Sequence, residues 1–144
     1  MADEFNRNTP VPIVDLDIVA RNIARLQNLC DAAGVLNMPH FKTHKSLRIA
    51  KMQQDAGAAG ITCQKLGEAE VLADGGFKTI FISYNILGTA KVMQLQRLAK
   101  TVSLSLACDN AVVAQFLSDA ISPTGATVEV LVECDTGRHR TGVV

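Results

Sequence analysis

Neither sign of charge dominates this chain: 14 Lys and Arg balance 14 Asp and Glu, for a formal net charge of zero. The basic or one-signed surface that nucleic acid or a membrane face would call for is therefore missing. No apolar run is long enough to span a bilayer. Residues Met1–Pro10 are polar and acidic, without the basic-then-apolar order of a signal peptide, and are expected to form a flexible lead-in. Cys30, Cys63, Cys108 and Cys134 are scattered with no C-x-x-C pair, which argues against a disulfide framework or a zinc site and fits the cytoplasm. The Gly-rich nucleotide-binding loops, H-E-x-x-H and G-x-S-x-G are absent too, which removes the simplest routes to a nucleotide-binding protein, a metalloprotease or a serine hydrolase.

What is present is a chain of 144 residues, 48% hydrophobic and 19% charged, about one domain's length with enough apolar mass for a core. After Val11–Asp15, Asp17 is the expected N-cap of a helix with Val19, Ile23, Leu26, Cys30 and Ala33 on one face and Gly34 as its stop. Short apolar runs then alternate with amphipathic helices. Strands are expected at Met38–Lys42, Gly60–Gln64, Thr79–Tyr84, Val102–Ala107 and Val128–Cys134. Helices are expected at Ser46–Ala56, Leu66–Ala73, Thr89–Ala99 and Asn110–Ala120. This alternation implies parallel βαβ units, with strands covered on both faces. Cys30 is expected to be a buried small hydrophobe. Cys63, Cys108 and Cys134 fall near strand ends, from which they can line a site, although none has a base beside it to make it a nucleophile.

A flavodoxin-like doubly wound sheet and the opening of a (β/α)8 barrel both accept five such units. The fifth strand is followed by a loop and no covering helix, which favours an incomplete barrel: α/β in class, with about five βα units.

The chemistry gathers at Pro39-His40-Phe41-Lys42-Thr43-His44-Lys45-Ser46. Parallel α/β folds place their sites at the C-terminal ends of strands, and this run ends the first expected strand. Were it a strand, His40 and Lys42 would share a face. A desolvated lysine loses affinity for its proton, and the free amine can attack a carbonyl to form a Schiff base. The plainer alternative is a strand-end lysine whose head reaches water. Lys45 and Arg48 are expected to begin a solvated helix.

This run resembles the P-H-x-K-T-H-K signature of the D-threonine aldolase, D-3-hydroxyaspartate aldolase and D-serine dehydratase-like family, fold-type III pyridoxal phosphate enzymes with an alanine racemase N-terminal domain. Thr9-Pro10 through Asp15, Asn22-Ile23, Glu68-Ala69-Glu70 and Asp135-Thr136-Gly137 with Arg140 and Gly142 also match in order. The resemblance implies a pyridoxal 5'-phosphate-binding barrel over residues 11–144, lacking the family's C-terminal β-domain. It places the cofactor on Lys42, with His40, Gln64 and Arg140 as further cofactor-binding residues and Arg140 near the pyridine nitrogen. Gln64 and Arg138 also have plainer readings, as a strand-end amide and as surface charge; Tyr84 is read as core or rim.

The implied reaction is cleavage of a D-3-hydroxy amino acid, of D-threonine or D-3-hydroxyaspartate type, to glycine and an aldehyde by a carbon–carbon lyase. D-serine dehydratase chemistry is the alternative. A divalent metal (Mn or Mg, or Zn in the dehydratase branch) is expected only in the full-length enzyme, as is a homodimer; nothing in this chain matches the metal ligands. Outside this reaction class stand a non-catalytic pyridoxal phosphate-binding protein and a flavodoxin-like regulatory domain with an incidental lysine cluster.

Overall fold

The computed structural model describes residues 9–144, so residues 1–8 of the expected lead-in lie outside the described residues. Five α-helices follow the apolar periods: α1 (Leu16–Ala33), α2 (Leu47–Asp55), α3 (Leu66–Asp74), α4 (Val92–Thr101) and α5 (Ala111–Ile121). Three begin where a side-chain oxygen can accept an amide that has no partner inside the helix. Asp15, not Asp17, caps α1: its Oδ1 accepts from Asp17 N and Ile18 N at 2.9 and 3.1 Å. Asp17 instead adds its charge to the first turn, where the helix dipole favours it. Ser46 and Asn110 cap α2 and α5 as their sequence positions suggest.

The strands β1 (Ile61–Cys63), β2 (Thr79–Ile82), β3 (Ser103–Cys108) and β4 (Glu129–Val132) form one parallel sheet in the order β1-β2-β3-β4. Right-handed crossovers taken in sequence set successive helices on the same side of the sheet. A doubly wound sheet must reverse its order at a switch point, and this one does not. The fold is that of the opening part of a (β/α)8 barrel. Ile61 and Cys63, Ile80 and Ile82, and Leu104 and Leu106 alternate onto the helix side, where they bury with Leu72, Leu95 and Leu98. Thr62, Phe81, Ser105 and Glu129 stand in register as one row of the opposite face. Ser105 Oγ donates to Glu129 Oε2 at 2.7 Å along that row.

Four strands form among the described residues rather than five. Met38–Lys42 contributes a single parallel bridge, His40 to Thr62, and then turns into a short 3-10 helix at Phe41–Thr43. Pro39 has no N–H to donate, and the run offers its neighbour carbonyls instead: Thr62 N donates to Pro39 O and Thr62 Oγ1 to Met38 O. Coverage on both faces also fails at β4, whose four residues are all exposed. α1 differs as well. Its one buried residue is Gln27, which bonds Asp31, Gly57 O and Asn37, while Leu26 and Ala33 are exposed and Cys30 is only half-buried. This helix is tied down by an amide network rather than by its apolar stripe. Among the described residues no helix is long and apolar enough to cross a membrane.

The core therefore lies between β1–β3 and α3–α5, and truncations there and elsewhere should part company. Leu72→Ala, at a fully buried position, is expected to cost about 2–5 kcal/mol. Leu36→Ala, at a position 85% exposed, should stay within about 0.5 kcal/mol. Urea denaturation of the two variants measures both.

Candidate active site

Lys42 rides on a turn held from three sides. Beneath it Phe41 is 2% exposed and belongs to the core cluster. Ahead of it the His40 ring accepts the Lys42 amide on Nδ1 at 3.3 Å. Behind it the His44 ring accepts the Ser46 amide on Nδ1 at 3.1 Å. The two histidines thus do one job twice, each capping the amide two residues on, at the entry to the 3-10 turn and just before α2. Phe41 packs edge-on to His44, with ring centroids 5.4 Å apart, and Lys45 N donates to Phe41 O at 2.8 Å. The Lys42 side chain is exposed, so the expected desolvation of this lysine does not occur in the described structure. With no strand through residue 42, the argument that His40 and Lys42 share a strand face also lapses.

Lys45 is exposed as expected but precedes α2 rather than beginning it. It adopts φ of +49°, a left-handed conformation unusual for a lysine, and its Nζ lies 3.7 Å from Oε1 of Glu68. The Glu68 side chain is only 10% exposed, and its Oε2 accepts the Gln64 amide at 2.9 Å. Glu68 therefore ties the Lys42–Lys45 turn to the end of β1. Gln64 lines a cavity of about 470 Å³ together with Lys65, Tyr84, Asn85, Lys91 and Gln94; Lys42 is not among the lining residues. Tyr84 is a rim residue, as its position suggests. Burial pushes the Cys63 thiol up to about 12, with the Glu68 charge second, which keeps it protonated and inert.

The segment after β4 folds back on the strand ends. Asp135 N donates to Val143 O and Val143 N to Glu133 O. The Asp135 carboxylate accepts from Gly137 N and His139 N and faces the His139 ring at 3.0 Å. Asp109, just past β3, accepts from Gly142 N at 3.1 Å and from Asn85 Nδ2 at 2.6 Å. These contacts hold its carboxyl below the usual range, Gly142 first and Asn85 next. Gly142 has φ of +104°, and a Cβ there would lie 2.5 Å from Asp135 N, so only glycine fits. Arg138 and Arg140 are exposed on this loop. Lys42 and His40 are joined on one turn beside β1 and Gln64 follows the end of that strand on a separate cavity wall, while Arg140 belongs to the loop after β4.

Asp109, Glu68 and Ser83 are the positions whose roles the sequence reading missed. Ser83 Oγ lies 3.3 Å from His40 Nε2 and donates to Cys63 O at 3.2 Å. The available signal was a polar residue directly after an apolar strand, at Ser83 after Ile80–Ile82 and at Asp109 after Leu104–Cys108. Among the described residues no group of three or more His, Cys, Asp or Glu side chains converges to hold a metal ion.

Burial, then the Lys42 charge, holds His40 below its ordinary value, with Glu68 opposing; burial does the same for His44. The folded chain thus binds fewer protons at these rings than the unfolded chain. Stability contributed by the neutral rings is present above the unfolded value of about 6.5 and is lost as pH falls below it. Replacing both rings with asparagine, which can still cap through Oδ1, should flatten this loss in denaturation curves taken across that range.

The alanine racemase N-terminal domain family matches residues 14–144. The 3-hydroxy-D-aspartate aldolase of Paracoccus denitrificans is 36% identical over 98% of this chain and 37% of its own length. The D-threo-3-hydroxyaspartate dehydratase of Delftia sp. (strain HT23) is 38% identical over 94% of this chain and 36% of its own. The crystal structure of D-threonine aldolase from Filomicrobium marinum superposes with a TM-score of 0.91 at 38% identity, over 94% of this chain and 37% of that one. The chain thus spans little more than a third of the length of the curated relatives it matches. By its domain match, its parallel sheet and these relatives, the chain belongs to the alanine racemase N-terminal domain family, in the group of D-threonine aldolase and the 3-hydroxyaspartate aldolases and dehydratases.

Proposed function

We propose that Lys42 carries pyridoxal 5'-phosphate and that the chain serves a carbon–carbon lyase cleaving D-3-hydroxy amino acids, of D-threonine or D-3-hydroxyaspartate type, to glycine and an aldehyde. The observation that carries this reading is the turn itself. A primary amine stands at the strand-end edge of a parallel sheet on a backbone locked by Phe41, His40 and His44. An exposed amine on a rigid turn fits a cofactor bound through its aldehyde, and the turn adjoins the C-terminal strand end of β1, the kind of edge at which a barrel fold sets its ligand. When bound, the cofactor supplies an electron sink for the pair released by bond cleavage.

The chain's own residues orient and hold. His40 places the Lys42 backbone, Gln64 lines the cavity beyond the end of β1, and Arg140 stands on the loop that Asp109 and Gly142 pin down. The second reading is dehydration of a D-3-hydroxy amino acid. It is favoured by the Delftia dehydratase, 38% identical over 94% of this chain.

Incubation with pyridoxal phosphate, borohydride reduction and peptide mapping should label Lys42. Label on Lys45, or none at Lys42, would overturn the cofactor assignment. Product analysis then separates the two reactions: glycine with an aldehyde for the lyase, ammonia with a 2-oxo acid for the dehydratase.

A further inference from the structure

We infer that Ser83 is a positioning residue that holds His40 as its Nε2–H tautomer, so that His40 acts as a backbone clamp for the Lys42 turn and not as a proton acceptor. The inference deepens the cofactor reading of Lys42 and rests on it for its consequence, though not for its geometry.

The tautomer follows from which groups can donate. The Lys42 amide can only donate, and it points at His40 Nδ1 at 3.3 Å, so that nitrogen carries no proton. A neutral imidazole then has its single proton on Nε2. Nε2 lies 3.3 Å from Ser83 Oγ, which must therefore accept. The hydroxyl proton needs another acceptor, and Cys63 O supplies it at 3.2 Å. Cys63 O also receives the Ser83 amide at 2.9 Å, the first hydrogen bond beyond the β1–β2 ladder. Every donor in the sequence Lys42 N–H, His40 Nε2–H and Ser83 O–H thus has one acceptor. The chain of bonds ends on a strand carbonyl fixed by the sheet.

Two consequences follow for Lys42. Its backbone is referenced to the joined ends of β1 and β2, with two hydrogen bonds between its amide and the Ser83 hydroxyl. The nearest histidine keeps no free lone pair, since Nδ1 is engaged by the amide and Nε2 holds the proton. Proton transfer beside the Lys42 amine has to use a group other than His40. A protonated ring would have to release the Lys42 amide, so the neutral form is the one that keeps the turn in place.

The test is a long-range ¹H–¹⁵N spectrum of the cofactor-free chain, combined with the rate of borohydride trapping at Lys42. Wild-type His40 should show a protonated Nε2 and a bare Nδ1 at neutral pH. Ser83→Ala should mix the tautomers and slow trapping about threefold to tenfold, the factor carried by one net hydrogen bond. Ser83→Thr, which keeps the hydroxyl, should restore both. A wild-type Nδ1–H tautomer, or a Ser83→Ala chain with an unchanged His40 spectrum, would overturn the inference. If wild-type Lys42 takes no label while the spectra behave as stated, the cofactor reading fails and the clamp stands.

Discussion

A backbone amide that cannot join a sheet has to be satisfied by something else, and at Lys42 and Ser46 that something is an imidazole ring. The chain between Pro39 and Ser46 leaves the β1 edge after one bridge because Phe41 turns into the core. From that point the sheet no longer takes up its amides. His40 and His44 each offer a bare Nδ1 two residues ahead, and the turn closes around Lys42. Each ring has to stay neutral to do this, and partial burial favours the neutral form. The geometry of the site thus depends on the protonation of two side chains flanking the lysine.

The same economy appears at the other end of the sheet. Asp109 accepts from Gly142 and Asn85, joining the ends of β2 and β3 to the loop after β4. Gly142 is required because the returning chain passes against the Asp135 amide with no room for a side chain. A carboxylate at each end therefore links a loop to a strand end: Glu68 through the Lys45 ammonium and the Gln64 amide, Asp109 through the Gly142 amide and the Asn85 side chain. Hydrogen bonds from several amides to an ionised carboxylate are stronger than neutral ones, which suits anchors at the partly solvated rim of a sheet.

Much of this was open to inspection in the sequence, and the failures have physical causes. α2 to α5 and β1 to β3 follow from apolar spacing and capping residues, because each sits over a core that rewards its pattern. The Met38–Lys42 strand failed because apolar composition cannot reveal where a ladder stops, whereas Pro39 and the buried Phe41 decide it. α1 formed where expected, with Gly34 as its stop, and only what it buries differs. Its stripe of Val19, Ile23 and Leu26 is regular, yet Gln27 is what is buried, since an amide can reach Gly57 and Asn37 at once. Lys45 is solvated as expected, but nothing local shows that Glu68, more than twenty positions away, will stand beside it.

Local patterning thus determined the α/β class and the parallel sense of the sheet, since period and capping are properties of neighbouring residues, while the resemblance of Pro39–Lys45 to a family signature singled out Lys42. Tertiary structure decided how Lys42 is held. The contacts of His40 with Ser83, of Lys45 with Glu68 and of Gly142 with Asp109 join residues that only the folded sheet brings within hydrogen-bonding or ion-pairing reach. Which proton a ring carries, and which carboxylate anchors a loop, are settled by those meetings in space.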